Sequence, residues 1–162
     1  MDLHEALAKL TRHSVFKDWQ KTNKDAFLAH AFVMLDEANK DVWQIGFYTK
    51  ETERMVTFMV AETITHTPEQ EVLKTDGEIE KLDVAKIKIS VEEALSTAKK
   101  CVTENYGKEN TFKQFFIIQT IEHAPIFNIT YLTQSFKTIN IKIDAHDGKI
   151  LKQNIQALAE FG

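Results

Sequence analysis

Residues 31–49 read AFVMLDEANKDVWQIGFYT, and residues 115–133 read FFIIQTIEHAPIFNITYLT. Aligned at a constant step of 84 residues, Ala31-Phe32-Val33-Met34 falls opposite Phe115-Phe116-Ile117-Ile118. Val42-Trp43-Gln44-Ile45-Gly46-Phe47 then falls opposite Ile126-Phe127-Asn128-Ile129-Thr130-Tyr131. The comparison decides an ambiguous stretch. Ala26 to Leu35 is rich in Ala, Leu and Met, and alone it suits a helix as well as a strand. Its partner carries the β-branched and aromatic residues that favour a pleated strand. A repeat ties the two readings together, so both segments are predicted as strands.

The pattern extends outward from there. Val56-Thr57-Phe58-Met59-Val60 matches Ile139-Asn140-Ile141-Lys142-Ile143 at a step of 83, and Leu3-His4-Glu5-Ala6-Leu7 matches Val91-Glu92-Glu93-Ala94-Leu95. The second helix has the clearer start. Ser90 can cap it and Glu93 stands three residues on, while Val91, Ala94, Leu95, Ala98 and Val102 make one apolar stripe. Strand-like runs follow at 115–121, 126–133, 138–144 and 149–153, with an Asp147-Gly148 turn before the last. The tail Ile155 to Phe161 has helical spacing. Trp43, Ile45 and Phe47 alternate with more polar neighbours, as do Phe127, Ile129 and Tyr131, which fits a half-buried antiparallel sheet.

These readings predict an α+β protein of two tandem units, each a helix followed by an antiparallel sheet, able to pack into one compact protein. The first unit covers residues 1–76, a polar connecting segment 77–89, and the second unit 90–162. One core is expected around Leu7, Trp43, Ile45, Phe47, Phe58 and Val60. The other is expected around Leu95, Phe127, Ile129, Tyr131, Ile141 and Ile143. The first strands are apolar on both faces. Phe32, Met34, Phe116 and Ile118 are expected on the face away from the helices, where they need a cover and are the candidate binding residues. The other half of the chain, a second subunit or a bound partner could provide that cover.

Composition narrows the function classes. Twenty-four acidic and 20 basic residues give a net charge of −4, with the signs interspersed. Lys86, Lys88, Lys99 and Lys100 are mixed with Glu92 and Glu93, which makes a solvated helix face and not a basic nucleic-acid patch. No apolar run approaches the ~20 residues that span a bilayer. The single cysteine excludes an internal disulfide, and Met1-Asp2-Leu3-His4-Glu5 does not read as a signal peptide. A cytoplasmic protein is expected, with neither nucleic acid nor membrane as partner, as a monomer or homodimer.

The stretch from Ile89 to Asn154 resembles a PepSY-type domain. Ile89-Ser90-Val91-Glu92-Glu93-Ala94-Leu95 matches the family's helix start, and Ile141-Lys142-Ile143-Asp144-Ala145-His146-Asp147-Gly148-Lys149-Ile150 its closing turn. The first half is similar only through the repeat. The resemblance implies a cystatin-like helix on an antiparallel sheet, a binding role that includes restraint of peptidases, and no active site.

The residues point the same way. Asp144, His146 and Asp147 are the densest potential metal ligands, but the hairpin turn accounts for them. The six histidines show no i, i+4 pair of the helical metal kind. His30 reads as a packed or surface residue, and Cys101 as a small core residue. Phe16 and Trp19, in the segment that lengthens the first half, either pack on the first sheet or form a lid. No catalytic residue, metal or cofactor is expected. The leading expectation is a non-catalytic module that holds a peptide or protein on its sheet surface. The alternative is a small-molecule carrier with an apolar pocket between helix and curved sheet; an unrecognised enzyme ranks third.

Overall fold

The computed structural model describes residues 1–72 and 78–158. The boundary placed between residues 76 and 77, and Phe161 of the tail, lie outside the described residues. The chain opens with α1 (Leu3–Arg12), closed at its start by a reciprocal cap. The Asp2 carboxylate accepts from the Glu5 amide at 2.9 Å, and the Glu5 carboxylate accepts from the Asp2 amide at 2.8 Å. His13 ends α1 and starts α2 (Ser14–Lys21), its Nδ1 accepting from the Val15 amide at 3.3 Å. Five strands follow: β1 (Phe27–Met34), β2 (Trp43–Thr49), β3 (Arg54–Val60), β4 (Ile64–His66) and β5 (Gln70–Glu71). A 3-10 turn at Val84–Lys86 leads into α3 (Val91–Tyr106), where Ser90 Oγ accepts from the Glu93 amide at 3.1 Å. Four strands follow α3: β6 (Thr111–Ile121), β7 (Ala124–Thr133), β8 (Lys137–Asp144) and β9 (Ile150–Ala157).

The protein is α+β, with three helices and one large antiparallel sheet among the described residues. The strand order is β4-β3-β2-β1-β6-β7-β8-β9, with β5 also pairing β3. The first strand of each half therefore meets at the centre, and β1 and β6 run antiparallel. All three helices pack on one face. Leu3, Ala6, Leu10 and Phe16 from α1 and α2, and Ala94, Ala98 and Cys101 from α3, join the inward residues of the strands in a single buried cluster. The two expected cores are thus one. Phe116 bridges them, its ring 5.8 Å from Trp43 and 6.2 Å from Phe127, centre to centre. Leu7 and Leu95 pack at the margin, partly buried.

The register of the central pair corrects the expected faces of four residues. Ala31 stands opposite Ile118, and Val33 opposite Phe116. Directly opposed residues share a face, and these four are 0–2% exposed beneath the helices. Phe116 and Ile118 are core residues, and only Phe32 and Met34 of the candidate set look away from the helices. Phe115 and Ile117 take the places expected of the other two. The cause is one residue. The second strands do align at 84, because Ile45 and Ile129 are both inward. Matching the inward residues of the first strands takes a step of 85, from Ala31 to Phe116. The difference lies in the connections: 35–42 is a loop, whereas β6 and β7 are joined by Glu122-His123, both at positive φ, as a two-residue hairpin requires.

Two other segments differ from or settle the expectation. The tail is not helical at Ile155–Ala157, which pairs with β8 through Ile139–Ile155 and Lys137–Ala157. Pairing with β8 overrides a helical spacing carried by few residues. Phe16 and Trp19 belong to α2 and pack on the first half of the sheet, with ring centres 5.1 Å from Phe47 and 5.2 Å from Phe58 respectively.

The face assignment is testable by urea unfolding. Phe116→Ala removes a buried ring and should cost about 3–5 kcal/mol. Phe32→Ala, on the opposite face, should cost clearly less. Equal losses would contradict the assigned faces.

Candidate functional site

The face away from the helices is built by register, row by row. One row runs Gln44, Phe32, Ile117, Asn128 and Lys142 across β2, β1, β6, β7 and β8. The row on one side of it runs Met34, Phe115, Thr130 and Asn140. The row on the other runs Gly46, His30, Gln119 and Ile126. The centre, where the two halves join, is apolar: Phe32, Met34, Phe115 and Ile117 are each half-buried, and the rings of Phe32 and Phe115 lie 5.6 Å apart. No helix covers this face among the described residues.

Beside the apolar centre lies a network of amides. Asn128 Nδ2 donates to Gln119 Oε1 at 3.1 Å. Asn140 Nδ2 donates to Asn128 Oδ1 at 2.6 Å and to Thr130 Oγ1 at 3.1 Å. Each amide group carries two donors and an acceptor with two lone pairs, so the network holds its members in place and leaves capacity free toward solvent. The face is concave. An open hollow of about 1060 Å³ occupies part of it, lined by His30, Phe32, Gln44, Ile117, Gln119, Asn128 and Lys142 of the strands and by Glu78, Ile79 and Glu80 of the segment that joins the halves. That segment is fastened across one end of the central strands β1 and β6. The Leu82 amide donates to Leu28 O at 2.8 Å, Thr120 Oγ1 donates to Lys81 O at 2.9 Å, and the His123 amide donates to Glu80 Oε2 at 3.2 Å.

His30 lines the hollow in a seat shaped for it. Its cross-strand neighbour is Gly46, and a Cβ there would stand 2.2 Å from His30 Cε1. Only glycine lets the ring lie over β2. Burial of that ring lowers its pKa below the usual 6.5. A register shift between Leu28 and His30 marks a bulge in β1 at this point. It moves Leu28 and Ala31 to the helix side, three residues apart, and leaves Ala29 and His30 both on the hollow.

The remaining reactive residues are engaged in structure. Asp144 Oδ1 accepts the His146 and Asp147 amides at 2.7 and 3.1 Å, and Asp147 Oδ1 accepts the Lys149 amide at 2.9 Å. Gly148 completes that turn at φ +79°. Cys101 is buried beside Gln153, its Sγ 3.3 Å from Oε1, and burial pushes the thiol pKa up. Tyr131, in the same core, is pushed up to about 12 by burial and the neighbouring Cys101. Between helices and sheet the volume is occupied by Phe16, Trp19, Phe47 and Phe58 in mutual ring contact and, separately, by Trp43 against Phe116. The amide network was missed in the sequence: Asn128, Thr130 and Asn140 fall on outward positions of adjacent strands, but only the register brings them together.

No family model and no curated protein matches the chain. Among solved structures, the chain resembles that of "a putative lipoprotein" from Clostridium difficile 630, with 15% identity and a TM-score of 0.56 over 88% of this chain and 90% of that one. At that identity the likeness is one of fold.

Two measurements check the His30 seat. Gly46→Ala should cost about 1–3 kcal/mol by overpacking, and much less in a His30→Ala background. Equal costs would mean that the ring does not lie there. The pH dependence has a defined sign. Well above pH 6.5 His30 is neutral folded and unfolded, and adds nothing. As pH falls through 6.5 the unfolded chain takes the proton first, so stability drops until the folded ring titrates at its lowered pKa. His30→Gln should flatten this part of the stability profile.

Proposed function

We propose that the protein is a non-catalytic binding module that holds a peptide or protein partner on the open face of its sheet. The observation that carries this reading is the apolar centre of that face: Phe32, Met34, Phe115 and Ile117 remain half-exposed side by side, with no cover among the described residues. Apolar patches of this kind, rimmed by polar groups, mark interaction sites more often than idle surface. The amides of Gln119, Asn128 and Asn140 supply the rim. The filled space between helices and sheet weighs against a carrier that binds there.

The same reading takes the chain as a tandem of one unit, related to PepSY-type domains. The central register supports it. A step of 85 residues carries the pair Ala31–Ile118 onto Phe116–Val33, and carries Phe32 onto its own partner Ile117. Two copies of one unit, joined about a twofold axis at Phe32 and Ile117, would produce that register. The binding centre would then sit on the axis, built equally by both copies.

A photo-reactive side chain placed at Phe115 or Thr130, in cells that make the protein natively, tests the site. Both positions should yield a discrete protein adduct, and Phe32→Asp should abolish it while the circular dichroism spectrum is retained. A probe at Lys99, on the exposed side of α3, should yield none. Adducts of equal strength from Lys99, or none from either open-face position, would refute the proposal.

A further inference from the structure

The two ends of the sheet are finished differently. At one end, the outer side of β3 is covered piecewise by three-residue β4 and two-residue β5. Pro68 lies between them, and an Arg54–Glu69 ion pair of 3.7 Å crosses the join. Short strands, proline and charge are the ordinary means of blunting a sheet edge. At the other end, β9 runs for eight residues with no proline or glycine and one charged side chain, Lys152. Its inner side pairs with β8 at every residue but Leu151. Its outer side offers unpaired N–H and C=O groups, and no strand is bonded to it among the described residues. Ile150 and Leu151 are 39% and 56% exposed. Ile150 stands opposite Ile143 and Lys152 opposite Lys142, so Leu151 is an extra residue, a bulge in β9, and both it and Ile150 fall on the helix side of the sheet.

We propose that this edge pairs with the β9 of a second copy of the chain, antiparallel and about a twofold axis. What selects a second copy is that the strand complements itself. In an antiparallel pair, opposed residues share a face, so the axis must pass through a residue and not between two. Centred on Gln153, the pairing sets Leu151 opposite Ile155 of the second copy on the helix side, and Lys152 opposite Asn154 on the other. The exposed leucine is covered by an isoleucine that already packs on the helix-side core. The single charge meets an amide and not its own copy, so no like charges are opposed. The contact closes on itself, as an isologous interface does, and cannot propagate into a fibre. It uses the strand edge, and leaves the open face and its apolar centre free.

Sedimentation velocity of the untagged full chain across the micromolar range reads the result. The expected behaviour is a reversible monomer–dimer equilibrium, weakened at least about tenfold by Leu151→Lys with an unchanged melting temperature. Phe32→Asp should leave the equilibrium alone, which separates this edge from the open face. The register has its own readout. In a Cys101→Ala background, which removes the thiol beside Gln153, Gln153→Cys should form an intermolecular disulfide under mild oxidation faster than Ser135→Cys. A chain that stays monomeric throughout, a dimer indifferent to Leu151→Lys, or equal cross-linking at both cysteines would overturn the proposal. So would an edge that takes up a strand of another protein while the chain alone stays monomeric.

Discussion

The antiparallel pairing of β1 with β6 is the interaction on which the rest depends. It joins two groups of strands into one sheet and one buried cluster. Without it, each half would present a first strand that is apolar on both faces, with one edge bare, which is the arrangement most prone to unwanted association. The pairing is also the least local in the sheet, bringing Ala31 against Ile118. Contacts of that separation form against a large loss of chain entropy, so local hairpins such as β6–β7 are favoured to precede it. Phe116 secures the join from beneath, touching Trp43 of one half and Phe127 of the other.

A strand at the centre of a sheet need not be strictly amphipathic, because its outward side chains are flanked by those of a strand on each side. In β1 and β6 the inward residues meet the helices, and the outward residues meet one another. Partial burial among themselves explains how four apolar side chains can be tolerated on an open face. Full burial of each would gain more, up to roughly 1.5–3 kcal/mol for a side chain taken from full exposure. The face therefore holds an unrealised part of that free energy, available to whatever covers it.

Strand identity was legible because it is local: β-branched and aromatic runs, alternation in Trp43 to Phe47, and a capped helix start at Ser90. Facing was not legible in β1 and β6. A one-residue difference in a connecting loop flips every side chain of the strand before it, and an ungapped alignment of 31–49 with 115–133 hides that residue in the polar stretch 35–42. The usable sign was the contrast between that stretch and Glu122-His123, which leaves room only for a tight turn. The amide network was out of reach for a different reason. Gln119, Asn128 and Asn140 belong to three strands, and their contact exists only once two registers are set. The seat of His30 on Gly46 likewise needs a bulge that no residue type in 28–30 announces.

The amide network also restricts what could serve as a partner. Open to water, Gln119, Asn128 and Asn140 satisfy their remaining donors and acceptors with solvent. A cover made only of hydrocarbon would strip that water and return nothing, at about 1–3 kcal/mol for each group left unpaired. That penalty would cancel much of the gain from burying Phe32, Met34, Phe115 and Ile117. A polypeptide avoids the conflict, since its side chains can meet the apolar centre while its main chain or polar side chains meet the amides. The neighbouring placement of the two surfaces, apolar at the centre of β1 and β6 and amide across β6, β7 and β8, thus favours a peptide or protein over a lipid as the occupant of the proposed site.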